Sequence, residues 1–137
     1  MKLSNKQILQ LRAALLALDG IDKAVEVKGQ DKPVLIRKPF SFSGKTRLKI
    51  ARNLRAIETA FEDYDAARIG LVREYSDDGR QVSPENLPEF TRKIEELLDE
   101  AEDIALTPLD EDELNLDDND IPHAALAVLI GCLDEAE

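Results

Sequence analysis

The feature that most constrains this chain is an apolar seam at Ile50, Leu54, Ile57, Phe61, Tyr64, Leu71 and Tyr75. Its steps alternate between four and three residues, and only Arg68 interrupts it. A repeat of that kind keeps one side of a single helix apolar for about seven turns, and a face so long has to lie along other helices. Ser43 stands where a side-chain oxygen can cap the start of this helix, which is expected to run to about Ser76. Its exposed sides change sign along the way. Lys45, Arg47, Lys49, Arg52 and Arg55 come first, and Glu58, Glu62, Asp63 and Asp65 follow. This order opposes the helix dipole, so the early bases are expected to have some other acidic company.

The rest of the chain supplies candidates for packing along that seam. Ser76-Asp77-Asp78-Gly79 reads as a turn, and Pro88 suits the first turn of another helix whose buried face is Phe90, Ile94, Leu97, Leu98 and Ala101. A short connection makes the two helices an antiparallel hairpin over residues 43–103. Upstream, Ser4-x-x-Gln7 is a capping box for a first helix in residues 1–20, with Ile8, Leu11, Leu15 and Leu18 at helical spacing, Leu9 and Leu16 widening the stripe, and Asp19-Gly20 as the stop. Over residues 21–42 the period becomes two, through Val25, Val27, Val34, Leu35 and Ile36 and on to Phe40 and Phe42, which predicts a β-hairpin. Pro33 and Pro39 place breaks or an edge there.

Ile104-Ala105-Leu106-Thr107 predicts one more strand, able to extend the hairpin into a three-stranded sheet. After an acidic segment, Pro122 opens a last helix with Leu126, Leu129, Ile130 and Leu133 as its apolar face. The expected fold is therefore α+β and mostly helical. It is a single domain over 1–137, with a long antiparallel helical hairpin, a small β-hairpin or three-stranded sheet, and residues 104–137 forming a strand, an acidic loop and a C-terminal helix.

Charge is the next constraint. The chain has 137 residues and a net charge of −11. Residues 1–57 hold 13 of the 18 Lys and Arg against four acids, whereas residues 58–137 hold five bases against 25 acids. Two resolutions are open: the basic half lies on the acidic half, or the two form opposed faces that steer partners or join copies. The single cysteine, Cys132, leaves no intramolecular disulfide and suits a reducing compartment. No apolar run approaches the roughly 18–20 residues of a membrane span. Gln7, Gln10 and Arg12 break up any signal-peptide core, so a cytosolic protein is expected.

Several short patterns resemble functional motifs and fail on inspection. Gly44-Lys45-Thr46 ends like a phosphate-binding loop, but the place of that loop's first glycine is Pro39, which has no amide to offer a phosphate. The reading that remains is a capped helix start with solvated bases. Asp110 to Asp120 carries seven carboxylates. Read as a calcium loop from Asp110, however, its fifth, sixth and twelfth positions are Leu114, Asn115 and Ile121, where an oxygen ligand, glycine and glutamate are required. His123 is the only histidine, and no acid–base partner can be named for it. Cys132 has no neighbouring base to activate it and reads as a small, partly buried thiol. No catalytic residue, cofactor or metal is expected. The basic cluster of Arg37, Lys38, Lys45, Arg47, Lys49, Arg52 and Arg55 could touch phosphates, but the acidic whole and the few aromatics argue against direct nucleic-acid binding.

Read together, some segments resemble a diffuse group of small proteins of tailed bacteriophages and their prophages. They are Lys2-Leu3-Ser4-Asn5-Lys6-Gln7, Phe42-x-Gly44-Lys45 leading to Leu48-x-x-Ala51-Arg52-Asn53-Leu54, Ala67-Arg68-x-x-Leu71, Phe90 before Glu95-x-Leu97-Leu98-x-Glu100, and Ile121-Pro122 before a short apolar helix. The resemblance carries no established activity and no functional residues. It implies a phage setting, in the host cytoplasm or the virion, where small non-enzymatic proteins serve assembly or interfere with the host. The expected function is then protein–protein contact in virion structure or assembly, with other phage proteins or with itself. The alternative is an inhibitor of a host defence or nucleic-acid-binding protein that acts through its acidic surface. The candidate partner-binding residues are Asp110, Asp112, Asp117 and Asp118 on the acidic side, and Arg47, Arg52 and Arg55 on the basic side.

Overall fold

A computed structural model describes residues 1–133, without the side chains of Ile21, Lys23, Cys132 and Leu133. Its elements follow the order β1 (Lys2–Ser4), α1 (Asn5–Ala17), β2 (Ile21–Val25), β3 (Val34–Lys38), α2 (Gly44–Glu74), α3 (Leu87–Asp99), β4 (Ala101–Asp103) and α4 (His123–Leu133). The α+β, mostly helical reading holds, and α2 is the long helix that the seam required.

α1 is the helix the others pack around. Its start is fixed locally: the Gln7 amide donates to Ser4 Oγ at 3.2 Å, and the Ser4 amide donates to Gln7 Oε1 at 2.9 Å. Ile8, Leu11, Ala14, Leu15 and Leu18 are buried among Ile57 and Ala60 of α2 and Ala125 and Leu129 of α4. Each fully buried Leu or Ile contributes about 2 kcal/mol, so this stripe anchors the body. At its end Gly20 has φ +133°, and a β-carbon there would lie 2.5 Å from the Lys38 carbonyl oxygen. The close passage of β3 thus requires glycine.

α2 begins at the predicted cap, where the Thr46 amide donates to Ser43 Oγ at 3.1 Å. The tempting Gly-Lys-Thr run is part of this cap: the Ser43 hydroxyl also donates to Thr46 Oγ1, and Thr46 is buried. Along the seam Ile57 and Tyr64 are buried, with Ile50, Leu54, Phe61, Leu71 and Tyr75 partly so. α3 returns antiparallel to α2, and Tyr75 meets Phe90 edge-on at 6.3 Å. Arg68, the break in the seam, binds Asp65 with Nε and Nη2.

Three expectations are corrected. Ile104–Thr107 does not extend the hairpin. The strand lies three residues earlier, at Ala101–Asp103, and pairs with β1, so the described residues form two separate two-stranded sheets. Ile104 and Leu109 are apolar because they enter the core. The second correction concerns Phe40 and Phe42. β3 ends at Lys38, after which Pro39 turns the chain inward, burying Phe40 against a half-buried Phe42 at 6.2 Å. Leu35 and Ile36, counted as strand interior, are 69% and 48% exposed. Third, Ile130 of α4 faces outward, and Ala125 takes its place beside Leu129 in the core. Leu133, also assigned to that apolar face, has its side chain outside the described residues.

The segments without regular structure are held by buried asparagines. Asn53, 1% exposed on α2, donates from Nδ2 to the Thr107 carbonyl at 2.9 Å and accepts from the Thr107 amide at 2.6 Å. Asn119 does the same to Ser41, at 2.9 and 2.7 Å, and also donates to the Leu114 carbonyl. Each amide side chain pairs with one residue's backbone as a neighbouring strand would. The substitution Asn53→Ala removes two hydrogen bonds and strands the Thr107 amide, so it should destabilise the fold by about 2–4 kcal/mol in urea unfolding. Thr59→Ala on the exposed side of α2 should stay within about 0.5 kcal/mol.

Candidate functional site

The residues singled out from the sequence converge on the N-terminal half of α2. The helix turns one side to α1 and another to the acidic segment, leaving a third to solvent. On the solvent side lie Lys45, Leu48, Arg52 and Arg55, spaced three or four residues apart and all exposed. Leu48 is 51% exposed within this basic stripe. Arg52 and Arg55 take part in no ion pair among the described residues. Arg47 sits one row nearer α1, and its Nε donates to the Phe42 carbonyl at 3.2 Å.

The acidic segment lies against the same end of α2. Lys49 Nζ meets Glu113 Oε1 at 2.7 Å, with both side chains less than a fifth exposed. The Asp110 amide donates to the same oxygen, while Glu113 Oε2 is buried without a partner. A hydrogen bond from Lys49 holds the Glu113 carboxyl below its ordinary 4.5, and the Asp110 amide and the charge of nearby Lys45 act in the same direction. Lys49 therefore has the acidic company expected of the early bases, while Arg47, Arg52 and Arg55 lack it among the described residues. Asn115, in the left-handed region at φ 53°, donates to the Ser41 carbonyl beside Asn119, fastening the segment a second time.

Asp110, Asp112, Asp117 and Asp118 are exposed and outside every ion pair among the described residues. The acidic and basic candidates thus form no ion pair with one another among the described residues; Glu113 and Lys49 make the junction. Sequence reasoning named Lys49 among the basic residues but passed over Glu113, although Glu113 had a signal beside Leu114, the one buried apolar residue of that segment. His123 is exposed, and the side chain of Cys132 lies outside the described residues. Among the described residues, no group of three or more His, Cys, Asp and Glu side chains is arranged to hold a metal ion, and no helix is long and apolar enough to cross a membrane.

A cleft of about 460 Å³ opens between α1 and α2. Leu15, Leu16 and Leu18 form one wall and Ile50, Ala51 and Leu54 the other, with Phe40 and Phe42 at one end. Arg47 and Asp19 stand at its rim. One turn further along both helices, Arg12 Nε binds Glu58 Oε1 at 2.7 Å, and its guanidinium lies 4.1 Å from the centre of the Phe61 ring. Nothing in the sequence reading marked this cleft, because its two walls and its end come from three separate segments of the chain.

Compared with known protein families, curated proteins and solved structures, the chain finds no match.

The Lys49–Glu113 pair yields a prediction with a definite sign. A depressed carboxyl pKa adds stability above the unfolded value of about 4.5, and this is lost as pH falls through the folded value. Lys49→Met should therefore be less stable than the parent at neutral pH, with the two melting curves converging as the pH drops below about 4. Thermal melts across that range check it, and a carbon-detected NMR titration should show the Glu113 pKa rising in the variant.

Proposed function

We propose that this protein acts without catalysis, through protein–protein contacts, as an assembly or structural accessory protein in a phage setting. The observation that carries the reading is the incomplete neutralisation of its two halves. Only two ion pairs among the described residues, Arg12–Glu58 and Lys49–Glu113, cross from the basic half to the acidic half. The remaining ion pairs lie within one half: Arg37 with Asp19 and Asp22, Arg68 with Asp65, and Arg92 and Lys93 with their α3 neighbours. The exposed bases of α2 and the exposed acids of residues 110–120 remain available to complementary surfaces. The phage setting itself rests on the sequence resemblance.

If the opposed charges join copies or partner proteins, light scattering on size-exclusion chromatography should show an assembly at about 0.05 M salt that dissociates at about 0.5 M, where screening shortens to a few ångströms. The double charge reversal Arg52→Glu and Arg55→Glu should give a folded monomer at both. A parent chain that stays monomeric at both salts and is absent from particles would overturn the assembly role.

A second reading is favoured by one observation. The carboxylates of Asp110, Asp112, Asp117 and Asp118 are presented on backbone that Asn115 and Asn119 clamp to Ser41. A fixed acidic surface suits occupation of a basic groove, as in an inhibitor of a host nucleic-acid-binding or defence protein. Reversing the four aspartates to lysine should then abolish capture of that protein and leave the melting temperature within a few degrees. Retained capture would sink the idea.

A further inference from the structure

We infer that the outer edge of β3 pairs antiparallel with the same edge of a second copy of this chain, on a two-fold axis through Ile36. The inference rests on the contact-protein reading and adds to it a contact made by backbone and apolar groups.

β2 and β3 form a sheet of two strands and pack mainly on each other. A hairpin of that size is marginal by itself, and on its outer edges alternate residues turn both amide and carbonyl away from the pair. No backbone hydrogen bond from any other segment reaches β3 among the described residues. Such an edge has one chemical complement, the backbone of another extended strand. Side chains add a second reason. Successive residues of a strand point to opposite faces, and Leu35 and Ile36 are 69% and 48% exposed, so neither face of β3 is fully covered.

The register selects a second copy. β3 is five residues long, Val34–Lys38, with Pro33 before it and Pro39 after, and neither proline has an amide to add to a ladder. A two-fold antiparallel pairing sets one residue opposite itself. Only with Ile36 at that centre do all five residues pair while both prolines stay outside. Val34 then faces Lys38 of the second copy and Leu35 faces its Arg37, so no like charges stand opposite each other. Arg37 already lies 3.5 Å from Asp19 and 3.3 Å from Asp22, which offset its charge. β2 lacks this fit, because its central residue is a lysine, which the same operation would set against itself. Each copy uses one edge, and the pairing closes at two. A ladder this short falls among the interfaces under about 1,200 Å², which are weak, so copies stay apart in a dilute size-exclusion run and pair when concentrated.

The test is sedimentation equilibrium of the intact chain at about 0.5 M salt, where charge contacts are screened, and at up to about 1 mM protein. A dimer that grows with concentration is expected, and NMR on a mixture of differently labelled copies should show contacts between the two β3 strands. The register is tested at about 0.1 M salt in the Arg52→Glu, Arg55→Glu background, where facing charges are felt. Ile36→Lys and Ile36→Glu should each lose the dimer, and an equal mixture of the two should regain it. Leu35→Lys, set against Arg37, should dimerise about tenfold more weakly than Leu35→Glu, which keeps the test valid if the Ile36 variants misfold. A monomer at every concentration, which would leave the edge to a strand of another protein, overturns the inference. So does a dimer that survives both Ile36 substitutions, or no recovery in their mixture. Arg52→Glu with Arg55→Glu removes the charge-driven assembly and should keep the β3 dimer. Absence of the low-salt assembly therefore sinks only the charge reading, and absence of the β3 dimer sinks only this one.

Discussion

Much of this structure depends on one side-chain amide placed inside a helix bundle. Asn53 stands on the core side of α2 between Ile50 and Ile57, where a leucine would satisfy the helix pattern. Its carboxamide instead pairs with both backbone groups of Thr107, fixing the path of a segment that has no ladder of its own. Once that path is fixed, Ile104 and Leu109 reach the core on either side of Thr107. A buried peptide group left unpaired would cost about 1–3 kcal/mol, so the amide and its backbone partner enforce each other. Asn119 repeats the device at Ser41, and the two clamps explain how a long irregular stretch, rich in acids, stays on a helical body that it covers with few apolar residues.

The same clamps give the surface its electrical form. With Asn119 and Asn115 holding the acidic segment to the strand exit, Glu113 comes to Lys49, and the surrounding aspartates are left facing water. The helix dipole of α2 disfavours bases in its first turns, and among the described residues a single ion pair meets that conflict, at Lys49. Arg47, Arg52 and Arg55 keep their charge exposed. Polarity of this kind contributes little to stability, because exposed pairs are worth at most about 1 kcal/mol. It acts on association, where complementary fields steer and select.

The parts of the fold legible in the sequence are those decided within one or two helical turns. The Ser4–Gln7 box, the Ser43 cap, the stop at Gly20 and the seam of α2 all rest on contacts between near neighbours or on a period that any window shows. The β1–β4 pair was not legible. Its strands are three residues long, and β4 is exposed throughout, so side chains carry no alternation to announce it. It exists because the Asn5 amide meets the Glu100 carbonyl and the two ends of β1 and β4 close on backbone hydrogen bonds. Of the candidate site, the exposed arginines and aspartates could be named from charge alone. The residues that join them, Lys49 and Glu113, could not be told from their equally charged neighbours.

By itself, the sequence determined the helices, their caps, the hairpin and the division of charge, since propensity, spacing and composition are local properties that need no partner. Only the tertiary structure decided which apolar residues form the core and which line a cleft. Leu15 and Leu16 are adjacent and chemically alike, yet one is buried and the other opens onto solvent. That difference is set by where α2, Pro39 and Phe40 pass. Their positions depend in turn on hydrogen bonds between residues tens of positions apart, and no local pattern encodes such pairings.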